Sequence, residues 1–269
     1  MLLYPLILPA AAALCPPREH PPPTRAFTSK PTVTPSHQLP PADKALATDP
    51  ILAEHYGAPF IPFSYRDPVS ELVNSLMSHR TKNPVTRAAF AALRGRYPTW
   101  GDVIEADTKE LEKTIAAVTF PEVKAPRIQA ALRYVRDHNE GELSLDGLGQ
   151  LTVEEAREWL ERIPGVGAKT SAAVLSFSRL RMPALVVDTH HHRVAGRLGL
   201  VPPKASLDRA ARLLQSYIPA DWDGQRVYDS HQGYMRHGQR VCTWRNPKCG
   251  ECIVREWCDA AAIHNRPPQ

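Results

Sequence analysis

The chain has 269 residues, of which 43% are hydrophobic, with a formal net charge of +5 and an isoelectric point near 9.0. That is enough apolar material for one large domain or two modest ones, and the small basic surplus favours an anionic partner without requiring one. No run reaches the roughly 18 apolar residues needed to span a bilayer, so no membrane partner is expected and the location is read as cytoplasmic.

Residues 1–14 are apolar and alanine-rich, but no Lys or Arg precedes them and Cys15 is followed by Pro16 and Pro17, which argues against a signal peptide. Twelve of the 27 prolines fall in the first fifty residues. Pro21-Pro22-Pro23 and Pro40-Pro41 remove helix hydrogen bonds there, so residues 1–45 are expected to form a disordered tail.

From about residue 67 the apolar positions recur at helical spacing: Val69, Leu72, Val73, Leu76 and Met77, then Val85, Ala88, Ala89, Ala92 and Leu93, then Ile128, Ala131, Leu132 and Val135. Asp67-Pro68 and Asn83-Pro84 each put a capping side chain before a first-turn proline, and Thr152 with Glu155 spells a capping box. The expected fold class is all-α. A further stripe, Ala156, Trp159, Leu160 and Ile163, runs into Pro164-Gly165-Val166-Gly167-Ala168-Lys169, where one helix must stop and another begin. Gly165 and Gly167 tolerate positive φ and bare the N–H groups of the new helix, a setting that can cradle a phosphate. Lys169 stands at the entrance of that helix, where the positive end of its dipole disfavours an ammonium, as a nucleophilic amine requires.

Nineteen residues on, Asp188 follows the short apolar run Leu185 to Val187 and is placed to cap the next helix. The three consecutive histidines after Thr189, His190 to His192, point about 100° apart on a helix and cannot converge on one ion. Near the C-terminus Cys242, Cys249, Cys252 and Cys258 are separated by six, two and five residues. Four thiolates select zinc or an iron–sulfur cluster, and two disulfides are the alternative. Arg245 and Lys248 lie within this segment, behind Arg236 and Arg240, and no acid occurs from Ser230 to Gly250. Such a patch suits a phosphate backbone.

In this order, the hairpin Ile163 to Thr170, the segment Val187 to Val194, the stretch His237-Gly238 to Cys242 and the cysteine spacing resemble the endonuclease III family of helix-hairpin-helix DNA glycosylases. The likeness covers residues 46–260. It implies a [4Fe-4S] cluster on Cys242, Cys249, Cys252 and Cys258. It implies a six-helix barrel domain with the hairpin (62–181), a cluster domain (46–61 plus 182–269) and a DNA cleft between them. It also implies a catalytic pair, Lys169 as Schiff-base lysine and Asp188 as catalytic aspartate, acting as a glycosylase and abasic-site lyase on oxidised pyrimidines. The partner so implied is double-stranded DNA containing damaged bases or abasic sites, met by a monomer. DNA contacts are expected from Pro164 to Ala168, from His190 and Arg193, from Arg245 and Lys248, and from His79, Arg80 and Thr81. At the last of these the sequence departs from the family: the usual glutamine of Ser-x-Gln-x-x-Asp is Arg80, which puts the preference for the opposite base in question. An adenine- or mismatch-specific glycosylase, a noncatalytic DNA-binding module and an electron-transfer protein are the competing readings.

Overall fold

The computed structural model describes residues 35–62 and 65–264. These residues contain twelve α-helices and four short 3-10 turns, and no strand. The helices are α1 (Pro41–His55), α2 (Pro68–Ser78), α3 (Asn83–Arg96), α4 (Trp100–Glu105), α5 (Thr108–Thr114), α6 (Pro121–Asp137), α7 (Val153–Glu161), α8 (Ala168–Phe177), α9 (Thr189–Leu198), α10 (Leu207–Gln215), α11 (Gly224–Arg240) and α12 (Asp259–His264).

Local sequence explains many of the boundaries. Asp67 caps α2 by accepting from the Ser70 N–H at 2.9 Å, with Pro68 in the first turn. Thr152 and Glu155 form the capping box of α7. At α3 the outcome differs from the expected Asn83 cap: the helix starts at Asn83 and the preceding Lys82 makes no side-chain cap. The tail, expected to reach residue 45, stops short of that. Its first 34 residues lie outside the described residues, but α1 begins at Pro41, because a proline at the first helical position forfeits no intrahelical bond. Lys44, 2% exposed, then ties α1 to the far end of the chain, donating to Leu198 O at 2.7 Å and to Asp259 Oδ1 at 2.6 Å.

The buried residues fall into two cores. One gathers α2 to α8, with Leu72, Leu93, Ile128, Leu132 and Leu160 inaccessible to solvent; each such side chain contributes about 1.5–3 kcal/mol by leaving water. The other gathers Leu52 of α1 with α9, α10 and α11, and Cys242, Cys252 and Cys258 pack against it. The division was expected at residue 181, yet the chain crosses gradually. Ala184 and Val186 enter the first core while Leu185 and Val187 enter the second, as an extended segment alternates its side chains. The hairpin helix α8 does likewise, with Ala168 in the second core and Ala172 to Leu175 in the first.

The α1 helix crosses α11 at Gly233, where an added Cβ would come within 3.0 Å of Ala53 N and 3.1 Å of the Leu52 carbonyl carbon. A side chain there must push two backbones apart. We expect Gly233→Val to destabilise the fold by about 1–3 kcal/mol, read as a lower urea midpoint at unchanged m-value. An unshifted midpoint would show that this crossing is not close-packed.

Candidate active site

The α7–α8 turn is built by its backbone. Gly165 has φ 84°, a left-handed conformation, and packs so closely beneath the Arg127 side chain that any Cβ would meet its Cδ at 2.5 Å. Gly167 departs from expectation. Its backbone is extended, at φ −117° and ψ −176°, and it stands as the N-cap of α8 without a capping side chain. The first bonds of α8 come from Thr170 N and Ser171 N to Gly167 O, so the N–H groups of Ala168 and Lys169 precede the intrahelical ladder. Pro164, Gly165 and Gly167 are exposed, whereas Val166 and Ala168 turn their side chains into the two cores and can present only backbone outward.

Lys169 is half-buried one residue into α8. It lines a cleft of about 350 Å³ between the two cores, and the same cleft is lined by Asp188. It also borders a shallower mouth of about 450 Å³ formed with His79, Arg80, Phe120, Val123, Lys124 and Arg127. Asp188 caps α9 through the His191 N–H at 2.7 Å. Burial opposes its charge, yet the imidazoles of His231, His191 and His190 and that N–H outweigh the burial, so the carboxyl titrates below its ordinary value. Behind it His231 donates from Nδ1 to Val186 O at 2.8 Å, and burial lowers its pKa; its Nε2 is then the unprotonated nitrogen.

The three histidines go separate ways. His190 Nδ1 meets Arg193 Nη2 at 3.2 Å, His191 stacks on Tyr234 with ring centroids 4.4 Å apart and is pushed down to about 3 by burial, and His192 Nε2 bonds Ala205 O at 3.0 Å. Arg193 was expected to face DNA, but its guanidinium is engaged with the cysteine-bearing segment, with Cys242 O at 2.9 Å and Gly238 O at 2.6 Å.

At the mouth, Arg80 is exposed and takes a left-handed φ of 54°, a conformation that costs about 1–3 kcal/mol for a side-chain-bearing residue. Lys124 holds it there. This lysine, 4% exposed, donates to Met77 O at 2.6 Å, His79 O at 2.7 Å and Thr81 Oγ1 at 2.9 Å, capping the negative end of α2. Thr119 Oγ1 donates to Arg80 O and Thr119 N to Thr81 Oγ1, which brings Phe120, itself at φ 59° and 48% exposed, beside Arg80. Thr81 is therefore committed to the loop. His79 bonds Thr170 Oγ1 at 3.2 Å, and burial, with Lys169, Lys124 and Arg127 nearby, pushes it down to about 4. Lys124 and Phe120 escaped sequence reasoning, as did the cleft residues Glu71, Asn74 and Gln232. In a helical pattern a lone lysine reads as surface and a lone polar residue as solvated.

The four cysteines are free, half-buried and gathered around a cavity of about 220 Å³ bordered by Arg197, Arg245 and Lys248. The disulfide alternative is thereby removed. Among the described residues no three His, Cys, Asp or Glu side chains converge on one ion. A tetrahedral zinc with Zn–S near 2.3 Å would draw its sulfurs to within about 4 Å of one another, so a ligand shell spread around a cavity fits a polynuclear cluster. Arg197 Nη1 approaches Cys242 Sγ at 3.3 Å, and His237 Nε2 lies 3.5 Å from Cys252 Sγ while its Nδ1 meets Tyr56 OH at 3.1 Å. Burial pushes the Cys252 thiol up to about 11 and raises Cys258, so cluster binding, which needs thiolates, must displace their protons. Arg245 and Lys248 are exposed on this loop, with Glu251 3.8 Å from Lys248.

A helical hairpin opening onto a cleft between two helical cores, backed by a four-cysteine cluster loop, is the architecture of DNA-repair glycosylases, and comparison with known proteins agrees. Residues 73–220 match the HhH-GPD superfamily of base excision DNA repair proteins, and residues 242–258 match the iron-sulfur binding domain of endonuclease III. Endonuclease III of Synechocystis sp. is 31% identical over 78% of this chain and 90% of its own length, and that of Escherichia coli is 27% identical over 77% and 91%. A trapped endonuclease III–DNA covalent intermediate shares the fold at a TM-score of 0.68, with 24% identity over 84% of this chain and 99% of that one. The chain belongs to the endonuclease III family within the HhH-GPD superfamily, and its cofactor is the [4Fe-4S] cluster. No helix among the described residues is long and apolar enough to cross a membrane.

Protein carrying Cys249→Ser or Cys252→Ser is expected to lose bound iron and acid-labile sulfide together, whereas the unaltered chain carries both in equal amounts. Zinc in place of iron, or full iron retention in either variant, would contradict the assignment.

Proposed function

We propose that the protein is a bifunctional DNA glycosylase and abasic-site lyase that removes oxidised pyrimidines from duplex DNA. The observation that carries this reading is that Lys169 and Asp188, which arrive from different elements, line the same cleft. The domain division expected from the sequence becomes functional on this reading: the hairpin-bearing core grips one part of the duplex and the cluster-bearing core another.

Binding opens the substrate. The exposed turn Pro164 to Gly167 and the N–H groups at the start of α8 hold a phosphate, and Arg245 and Lys248 add sequence-independent attraction. Arg80 and the exposed ring of Phe120 occupy the gap left when the damaged nucleotide is turned out, the ring stacking on a neighbouring base. The base enters the cleft and its C1′ comes to Lys169.

The lysine nitrogen, as free amine, then bonds to C1′ while the bond from C1′ to the base breaks and the base leaves with the bonding pair. Asp188 stabilises positive charge that builds on the sugar in this step, a task suited to a carboxyl kept ionised. Opening of the sugar ring, with one proton passing from the new secondary ammonium to O4′ as the C1′–O4′ bond breaks, gives a protonated Schiff base between Lys169 and C1′. Loss of a proton from C2′ expels the 3′ phosphate by β-elimination, and water releases the lysine. No step calls on a hydrolytic metal.

Borohydride reduction during turnover on a duplex containing dihydrouracil is expected to leave a covalent protein–DNA adduct that Lys169→Ala abolishes. The same variant still binds the duplex. An adduct of equal yield without this lysine would assign the chemistry elsewhere. Replacing Arg80 by Gln is expected to alter, severalfold, the relative turnover of one lesion opposite guanine and opposite adenine; an unchanged ratio would remove Arg80 from the gap.

A further inference from the structure

The cleft carries a polar arrangement that the lysine and aspartate do not use. Gln232 lies in the middle of α11, is 3% exposed and lines the cleft, and its amide nitrogen is buried without a hydrogen-bond partner. A buried donor left unmet costs about 1–3 kcal/mol, so one retained beside a cavity calls for a ligand acceptor. Three other buried side-chain atoms among the described residues lack partners, Asp49 Oδ1, Arg157 Nη1 and His191 Nδ1, but none of those residues lines this cleft. The adjacent His231 is satisfied by Val186 O, so the deficit belongs to Gln232.

On α2, in the other core, Asn74 supplies the complement. Its Nδ2 donates to Glu71 Oε1 at 3.1 Å, and Glu71, 1% exposed, is itself held by Arg66 Nη1 at 3.3 Å and Ser75 Oγ at 3.3 Å. The carboxylate thus fixes which way the Asn74 amide faces. With Nδ2 committed, Oδ1 remains as an acceptor for the cleft, which Asn74 also lines. One core therefore offers a donor and the other an acceptor.

We propose that Gln232 and Asn74 are specificity-determining residues that read the pairing edge of the extruded base, Gln232 donating to an acceptor on that edge and Asn74 accepting from the N–H beside it. This inference rests on the glycosylase reading and narrows its substrate class. Damage at C5 and C6 of a pyrimidine leaves the acceptor and neighbouring N–H intact and is accepted, whereas a base methylated on N3 is refused. Lys169 and Asp188 act on the sugar and are indifferent to the edge. Abasic sites, which have no edge, are processed without help from Gln232.

The test compares turnover of duplexes containing dihydrouracil, N3-methyldihydrouracil or an abasic site by the wild-type protein and by Gln232→Leu. The ratio of kcat/KM for dihydrouracil to that for the abasic site should fall about tenfold in the variant, the size of one neutral hydrogen bond, and N3-methylation should impose a comparable loss on the wild type. Thermal stability should stay level or rise, because the substitution removes an unmet buried donor, which a merely structural role for Gln232 would not allow. A constant ratio, or turnover falling equally on dihydrouracil and abasic duplexes, overturns the proposal. Should the wild type cut none of these duplexes, the lyase reading fails by itself. Binding then decides the present proposal: preference for an uncleavable 2′-fluoro dihydrouridine duplex over a tetrahydrofuran duplex must be present in the wild type and lost in Gln232→Leu, and its absence from the first or persistence in the second overturns it.

Discussion

Four residues of extended chain, Ala184 to Val187, constrain the rest of the site. They are buried on alternate sides, two in each core, so the segment has one register: a slip of a single residue would send each side chain into the wrong core. That register fixes where Asp188 emerges. The α8 helix is pinned by the same device, with Ala168 in one core and its later residues in the other, and Lys169 follows Ala168 directly. Lys169 and Asp188 thus both leave from the seam where the cores meet, and neither depends on a mobile loop for its position.

Around that seam, charge is distributed with some economy. Burial lowers the pKa values of His191 and His231 beside Asp188. Cationic side chains gather at the rim, with Arg80, Arg127 and Lys124 around the mouth and Arg245 and Lys248 on the cluster loop. The cysteine-bearing loop is tied back to α9 by Arg193 and Arg197, which rise from that helix and bond Cys242 O, Cys242 Sγ and Thr243 O. The helix that Asp188 caps is therefore the one that braces the cluster, giving the two halves of the site a common support.

Much of this was legible in the residues because it is local. The Thr152 capping box, the Asp188 cap, the glycine turn and the cysteine spacing each follow from a few adjacent side chains. The start of α1 was missed because Pro40-Pro41 reads as helix-breaking, and only the tertiary anchor of Lys44 reveals the order around it. Lys124, Glu71 and Gln232 were illegible for a different reason: each is polar inside a helix, and its meaning comes from a partner, or the want of one, contributed by a distant element. Arg193 was expected to contact DNA, yet its guanidinium is taken by backbone carbonyls some forty-five residues away, an interaction no local pattern announces.

A crystal structure of the protein bound to a duplex carrying a tetrahydrofuran abasic analogue would test most directly whether the shared seam aims both groups at one sugar. The account predicts Lys169 Nζ within about 3.5 Å of C1′, the reach of a near-attack geometry, with the Asp188 carboxylate beside the same sugar. A sugar seated away from the cleft, or Lys169 and Asp188 contacting different nucleotides, would contradict it.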